Sequence, residues 1–241
     1  MGIVNAIADA LSVDDVHLTL PTADRAASAR LYDILLGTRA AERWAVSNGS
    51  IGLADSDRRL TVDLHVADLA GAATLLRRRG VALDDRGESD GMGKSLALTE
   101  YAPLRVTGYE MTGGGAPGAT SSGMIDHVVF TVAEADAAIA LFGGRLGVNL
   151  RLVRDLGKGV SQLFFRTRST VLEVVAGAPD TDEGIGLMGV AWRCSDIVAE
   201  QRRLVDAGLN VSEVRTGRKA GTEVCTVREP ALGTATLLIQ Q

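Results

Sequence analysis

Apolar and polar residues follow two different periods along this chain, and the two periods succeed one another in a fixed order. Residues 125–132 alternate as in a strand, and residues 134–146 then show the spacing of an amphipathic helix that ends at Gly147. Three short strand-like segments follow, at 150–154, 160–166 and 170–175. This order predicts a βαβββ unit.

The same order recurs elsewhere in the sequence. Residues 189–194 have a strand pattern, and residues 196–207 have a helical pattern with Asp196 at its start and Gly208 at its end. Three more strands are predicted after this helix, at 211–214, 223–227 and 235–239. The N-terminal half aligns with the C-terminal half in three places, residues 16–24 with 128–136, residues 31–37 with 141–147 and residues 68–80 with 196–208. Four copies with a period of about 50–60 residues predict an α+β fold of four βαβββ modules.

A segment rich in glycine and serine, Thr112–Gly123, divides the chain almost in half. Its small side chains have little surface to bury, so we predict a flexible linker there. The modules on either side then form two tandem domains, residues 14–111 and 124–241. Ahead of them, the apolar positions of residues 1–13 have helical spacing and predict a short amphipathic helix.

Composition narrows the choice of partners. The 241 residues carry a formal net charge of −5 with a pI near 5.3, which argues against a nucleic-acid-binding surface. No apolar stretch approaches the ~20 residues of a membrane span, and the N-terminus lacks the basic residues of a secretory signal. Two cysteines are too few for a disulfide framework. We therefore expect a cytoplasmic protein, monomeric or homodimeric, that binds a small molecule rather than nucleic acid or a membrane.

Four sequence features carry a family resemblance: the opening Ile125-Asp-His-Val, the helix end Leu146-Gly147, the strand Val171–Val175 and the second opening Gly189–Ile197. Together with the repeat they resemble the vicinal-oxygen-chelate superfamily of glyoxalases, bleomycin-resistance proteins and extradiol dioxygenases. The likeness is stronger over the C-terminal domain than over the N-terminal one. It implies that paired modules curl into two tandem half-open barrels, each around a cavity. In the enzymes of this family, a divalent metal in the cavity chelates vicinal oxygens of the substrate.

The resemblance also implies four metal-ligand positions in each domain. In the C-terminal domain, His127 and Glu173 match the first two positions, whereas Gly189 and Leu237 occupy the others and offer no ligating side chain. The N-terminal domain keeps no recognisable ligand set; its corresponding residues are Asp15, Leu53, Thr61 and Gly108. Two protein ligands are few for zinc, but Mg²⁺ or Mn²⁺ keeps several waters. A divalent metal (Mg, Mn, Fe or Zn) held by His127 and Glu173, or no metal at all, both remain open.

Strand alternation supports a pairing of His127 with Glu173 that does not depend on the family. Side chains alternate along a strand, so His127 shares a face with Val129 and Thr131. Glu173 stands between apolar neighbours, where an unpartnered carboxylate is costly. A satisfied core histidine and an edge-strand glutamate are the plainer interpretations of each residue alone. As a pair, we predict them to be catalytic, because a carboxylate beside an imidazole suits general acid–base chemistry near neutral pH.

Further residues are predicted to bind the substrate. Arg193 is expected on the cavity side of its strand, and residues 215–222 form a basic loop that contains glycine. Backbone N–H groups and guanidinium groups of such a loop can bind a carboxylate or a phosphate, although a solvated surface turn is the plainer alternative. His17 and His65 are assigned to the helix side of their strands. The predicted substrate-binding set is Arg193, Thr131, Gln162, Arg215 and Leu237.

Two functions remain open at this stage. The first is a small-molecule enzyme of the vicinal-oxygen-chelate type, an isomerase, lyase or dioxygenase-like protein, that acts in the C-terminal cavity on an oxygenated substrate, with or without an anionic group. The second is a non-catalytic protein that binds an antibiotic or metabolite without metal. Loss of two ligand positions favours binding or metal-free catalysis, and fold alone does not decide between them.

Overall fold

The computed structural model describes residues 10–40, 42–84, 93–108, 123–178 and 184–241. Most of the predicted N-terminal helix (1–13) and of the predicted linker (112–123) lies outside these residues. Of the helices that are described, none has the length and apolarity that a membrane crossing requires.

The N-terminal domain is a seven-stranded mixed sheet with the strand order β2-β3-β1-β4-β7-β6-β5. Its elements are β1 (Val13–Thr22), α1 (Arg25–Leu36), β2 (Arg43–Val46), β3 (Gly49–Asp55), β4 (Thr61–Val66), α2 (Leu69–Arg78), β5 (Leu83–Asp84), β6 (Lys94–Leu98) and β7 (Leu104–Gly108). The first module is one strand shorter than the βαβββ plan in the described residues. The stretch between α1 and β4 is short, and it holds one hairpin, β2–β3.

The C-terminal domain is an eight-stranded mixed sheet with the order β13-β14-β15-β12-β8-β11-β10-β9. Its elements are β8 (Met124–Val132), α3 (Ala135–Ala138), β9 (Asn149–Gly157), β10 (Val160–Arg166), β11 (Val171–Ala176), β12 (Ile185–Arg193), α4 (Ile197–Asp206), β13 (Arg215–Thr216), β14 (Glu223–Val227) and β15 (Ala235–Gln240). Helix α3 continues as a π-helical segment, Ile139–Arg145. The α+β fold of two tandem domains, with sheets that do not close, is confirmed.

The strand predicted at 211–214 is shorter than expected. Val211 makes a single bridge to Val227, and the two-residue strand β13 follows it. Glycines at 217 and 221 interrupt the chain shortly after β13, and Gly221 has a left-handed φ of 76°. The basic segment around Arg215 therefore forms a hairpin loop beside β14 rather than a long strand.

The two domains share one hydrophobic core. Val16 and Leu18 on β1 and Val128 and Phe130 on β8 are fully buried, and all four belong to one cluster that extends through both halves. Because strand side chains alternate, burial of these positions directs their neighbours to the opposite face of each sheet. The helices cover the core side, and the other face of the C-terminal sheet is left to form a site.

Polar contacts reinforce this shared core. Asn48, buried in the β2–β3 turn, accepts a hydrogen bond from the backbone N–H of Ile125 at 2.9 Å and donates to the Ile125 carbonyl at 2.8 Å. It also donates to the Thr170 hydroxyl at 2.8 Å. On the helix side, the Tyr32 hydroxyl donates to the carbonyl of Leu232 at 2.9 Å. The N-terminal domain thus braces the strand that carries His127.

Polar side chains fill the face of the N-terminal sheet that corresponds to the cavity side. His17 is hydrogen-bonded to Ser50 at 2.9 Å, and Arg105 forms an ion pair with Asp63 at 2.9 Å. His65 lies close to His17, with 6.3 Å between ring centroids. The assignment of His17 and His65 to the helix side is therefore wrong. Val16 and Leu18 occupy the helix side of β1, and strand alternation sends His17 the other way.

Burial of His17 predicts a loss of stability in acid. Burial first, then the charge of Arg43 and the nearby His65, lowers the pKa of His17 from 6.5 to about 3. Between these values the unfolded chain binds a proton that the folded chain does not, so the free energy of unfolding falls as pH falls. At pH 4 this loss is about 3 kcal/mol for one such group. Urea unfolding of the wild type and of His17→Gln at pH 7 and pH 4 measures it. The variant should lose less stability between pH 7 and pH 4 than the wild type does. Equal losses would contradict a lowered pKa of His17 in the folded protein.

Candidate active site

A cavity of about 720 Å³ lies on the face of the C-terminal sheet opposite the helices. Both modules of the domain contribute to its lining. Val171, Glu173 and Phe164 come from β11 and β10, whereas Val224 and Leu237 come from β14 and β15. The paired strands β8 and β12 cross its middle and contribute His127 and Arg193.

Strand register defines which positions correspond in the two modules. Glu173 pairs with Val129, two residues beyond His127 on β8. In the second module, Leu237 pairs with Ala191, two residues beyond Gly189 on β12. By this register Gly189 corresponds to His127 and Leu237 to Glu173, which agrees with the sequence alignment. His127, Glu173 and Leu237 line the cavity, and only the first module fills its two corresponding positions with polar groups.

A β-bulge places Asp126 beside His127. Ala191 pairs with His127 and Trp192 with Ile125, so Asp126 is the extra residue on β8. The bulge lets two successive side chains reach the cavity, and both line it. Asp126 and the Nδ1 atom of His127 are 2.9 Å apart.

Asp126 is held as an ionised acceptor. Arg193 donates to its Oδ2 atom from Nε at 2.9 Å and from Nη2 at 2.6 Å, and Gln241 donates to the same oxygen at 2.6 Å. Burial opposes ionisation of Asp126, but hydrogen bonds from His127 and Arg193 outweigh it and lower the pKa of this carboxyl below its ordinary value. A carboxylate can only accept, so the Nδ1 atom of His127 carries the proton of this hydrogen bond. In the neutral imidazole the Nε2 atom is then the free base.

The Nε2 atom of His127 faces Glu173. The distance from Nε2 to the Oε2 atom of Glu173 is 3.8 Å, longer than a hydrogen bond. The other oxygen of Glu173 accepts a hydrogen bond from the side chain of Gln162, which itself accepts one from Arg154 at 3.2 Å. Glu173 is therefore fixed in place, and it presents a second proton acceptor beside the imidazole.

The charge of the lining contrasts with that of the whole protein. Among the described residues, Asp126 and Glu173 are the acidic groups that line the cavity. The cationic groups number seven: Arg151, Arg154, Arg166, Arg193, Arg215, Arg218 and Lys219. The lining of this cavity is therefore positively charged, although the protein as a whole has a net charge of −5. Such a surface attracts and holds an anionic ligand.

The part of the chain that holds this site is similar to a known protein family. A model of the Glyoxalase/Bleomycin resistance protein/Dioxygenase superfamily matches residues 126–226. The match lies within the C-terminal domain and includes His127, Glu173 and Arg193. No curated protein matches the chain.

Solved structures extend the likeness to both domains of the chain. A triple mutant of 4-hydroxymandelate synthase from Streptomyces coelicolor matches with a TM-score of 0.68 and 14% identity, over 95% of this chain and 92% of that one. A xylose isomerase-like TIM barrel/4-hydroxyphenylpyruvate dioxygenase fusion protein matches with a TM-score of 0.62 and 15% identity, over 95% of this chain and 48% of that one. At these identities the matches establish the two-domain fold. Methylmalonyl-CoA epimerase from Mycobacterium tuberculosis matches 49% of this chain and 87% of its own, at 24% identity and a TM-score of 0.41.

The side chains present do not fit the resident metal that the superfamily implies. Gly189 and Leu237 stand at two of the four ligand positions, and a Cβ atom added at Gly189 would lie 2.8 Å from the Ala235 carbonyl oxygen. Across the described part of the chain, no group of three or more His, Cys, Asp or Glu side chains is suited to a metal ion. His127 and Glu173 alone give half of a usual donor set, in a lining that is strongly cationic.

Most of the predicted site residues meet in this cavity. His127, Glu173, Gln162, Arg193, Arg215 and Leu237 all line it. Thr131 does not; it lies further along β8, where it pairs with Gly186. Asp126 and Arg154 were missed. Strict alternation would place Asp126 on the core side with Val128, and a bulge leaves no clear signal in a single sequence.

Proposed function

We propose that this chain is a small-molecule enzyme of the vicinal-oxygen-chelate type that transfers a proton on an oxygenated, anionic substrate, as an isomerase or a lyase does. One observation carries this function: two proton acceptors, the Nε2 atom of His127 and the carboxylate of Glu173, stand 3.8 Å apart and line the same cavity. Of two adjacent bases, one can abstract a proton from the substrate while the other, once protonated, delivers a proton to a neighbouring substrate atom. His127 and Glu173 are the catalytic residues of this proposal.

The surrounding residues support a role for each member of the pair. Asp126 orients the ring of His127 and stabilises the imidazolium that forms when Nε2 takes a proton. Arg193 is a positioning residue, because it acts through Asp126. An anionic substrate would be held by the cationic lining, and that positive charge would also stabilise negative charge that develops on a substrate oxygen. When a proton is removed from a carbon next to a carboxylate or carbonyl, negative charge of this kind develops on the oxygen.

A dioxygenase-like reaction receives less support than proton transfer. In this superfamily it depends on a metal, and the donor set of this cavity offers two side chains. Proton transfer needs only groups that the chain itself supplies.

A non-catalytic binding protein is the second candidate. One part of the cavity is apolar: Ala191, Val224 and Ile239 form a small cluster, with Leu237 packed against it. This cluster occupies the side on which the resemblance places two further ligands. A cavity with an apolar wall and few polar groups is also typical of sites that hold a ligand without changing it.

A search for hydrogen exchange separates the two candidates. Short hydroxy acids, keto acids and dicarboxylates are incubated with the wild-type protein in D₂O with a chelator, and proton NMR follows each C–H signal. We expect at least one compound to exchange a C–H next to a carboxylate or carbonyl, or to be converted. Thermal shift identifies which compounds bind. Compounds that bind without any exchange or conversion would contradict the enzyme and support the binding protein.

The positioning role of Asp126 makes a separate prediction. Asp126→Asn should lower kcat by about 100-fold or more, because the ring of His127 loses its charged acceptor, while KM changes little. The exchange assay at several substrate concentrations separates the two parameters. Asp155→Asn, a substitution of an exposed carboxylate on β9, is the matched control. A rise in KM at constant kcat would show that Asp126 binds substrate instead.

A further inference from the structure

Positive charge in the cavity is concentrated at two opposite ends of the sheet. At one end, strands β9 and β10 carry Arg151, Arg154 and Arg166. At the other end, β13 and the loop after it carry Arg215, Arg218 and Lys219. In the strand order β13-β14-β15-β12-β8-β11-β10-β9, the strand of His127 lies between these ends. We call the two groups the β9 wall and the β13 wall.

Much of this charge is uncompensated within the protein. Arg154 donates to Gln162 and stacks over the ring of Phe164 at 5.6 Å, and Lys219 donates to Gln241. In the described ranges, no carboxylate forms an ion pair with the remaining four: Arg151, Arg166, Arg215 and Arg218. Both acidic groups of the lining are engaged at the centre, by His127, Arg193 and Gln162. Each wall therefore has guanidinium groups available to an outside anion.

The region between the walls is apolar around its catalytic centre. Leu152 and Phe164 flank the pair on the β9 side, and Val224 and Leu237 flank it on the β13 side. Such surfaces suit a hydrocarbon segment rather than a third charge. His127 and Glu173 would face that middle segment.

We infer that the substrate is an organic dianion, with one carboxylate or phosphate at each wall and the reacting C–H between them. This substrate class rests on the proposed function, since it places the reacting carbon at His127 and Glu173. A monoanion can satisfy one wall only. The second wall would then keep its guanidinium groups in water, without the gain of a second charge-assisted contact.

Matched probes test the two walls. Calorimetry compares alkane dicarboxylates from succinate to pimelate with monocarboxylates of the same chain length, and phosphonoalkanoates form a third series. We expect the best dianion to bind at least tenfold more tightly than its monoanion, with an optimum chain length. The stronger of the dicarboxylate and phosphonate series identifies the second anionic group. Equal affinities of dianions and monoanions would overturn the inference.

Variants of each wall sharpen the test. Arg151→Ala with Arg166→Ala empties the β9 wall, and Arg215→Ala with Arg218→Ala empties the β13 wall; all four side chains are exposed, so the fold should tolerate both pairs. Each pair should reduce dianion affinity to near that of the monoanion. Arg202→Ala with Arg228→Ala, two exposed arginines outside the cavity, should leave binding unchanged. Loss in only one wall pair would contradict a bridging ligand.

The inference and the proposed function fail in different ways. Tight dianion binding that survives His127→Ala, without exchange by the wild type on any compound, supports a dianion bound between the two walls but removes the enzyme and the reacting C–H. Exchange on a monoanion with no preference for dianions removes the inference and leaves the enzyme. Exchange on a dianion that depends on both walls supports both.

Discussion

Replacement of His127 by alanine is expected to reduce substrate exchange by a factor of about 100 to 10,000, the usual contribution of a general base. The reason is local. Asp126 accepts a hydrogen bond from the Nδ1 atom of His127, with 2.9 Å between Nδ1 and Oδ1. The Nε2 atom is therefore left as the basic atom, and it faces the cavity beside Glu173. Alanine removes the base and leaves the sheet intact, because His127 is partly exposed and the core side of β8 is made by its neighbours.

Two other variants control this result. Glu173→Gln keeps the shape and the hydrogen-bonding capacity of the side chain but removes the negative charge, and it should also reduce exchange. Thr131→Ala changes the same face of β8 outside the cavity and should exchange at the wild-type rate. Circular dichroism and thermal unfolding verify the fold of each variant. Wild-type exchange by His127→Ala would remove the imidazole from the mechanism.

Replacement of Asn48 by alanine is expected to destabilise the protein by about 3 kcal/mol, because buried polar groups lose their partners. Asn48 accepts the backbone N–H of Ile125 and donates to the carbonyls of Ile125 and Ser169 and to the Thr170 hydroxyl. Alanine cannot replace any of these hydrogen bonds. All three partners belong to the C-terminal domain, so the loss affects the junction of the two domains.

Urea unfolding measures this change in the free energy of unfolding. Asn149→Ala removes the same side chain from an exposed position on β9 and should change stability by less than about 0.5 kcal/mol. If the two alanine variants were equally stable, Asn48 would not hold the domains together. Since Ile125 lies two residues before His127, Asn48→Ala should also lower exchange at temperatures where the variant remains folded.

The fold could be predicted from the sequence because the patterns that indicate its helices and strands involve residues close together in the chain. The alternation around Phe130, the helix ends at Gly147 and Gly208, and the cap at Asp196 each depend on residues close in the chain. Repetition of these signals then predicted four modules. Correspondence of Gly189 with His127 could be predicted in the same way, since it follows from alignment of the repeats and agrees with strand register.

The parts that escaped prediction depend on contacts distant in sequence. A bulge at Asp126 arises where β8 meets β12, more than sixty residues later, and no local pattern announces it. His17 was assigned to the wrong face because its hydrogen-bond partner, Ser50, and the residue opposite it on β4, Asp63, lie on other strands. The concentration of arginines in one cavity likewise depends on the curl of the whole sheet, which brings β9 and β13 to face one space.

The most direct test of joint proton transfer by His127 and Glu173 is a double-mutant cycle on kcat. It compares the wild type with His127→Ala, Glu173→Gln and the double variant. Two groups that act together on one bound substrate are not additive, so the double variant should be about as slow as the slower single variant. Exchange rates of all four proteins on the same compound give the answer. If the two losses multiply, His127 and Glu173 act independently, and the shared proton transfer proposed for this cavity is wrong.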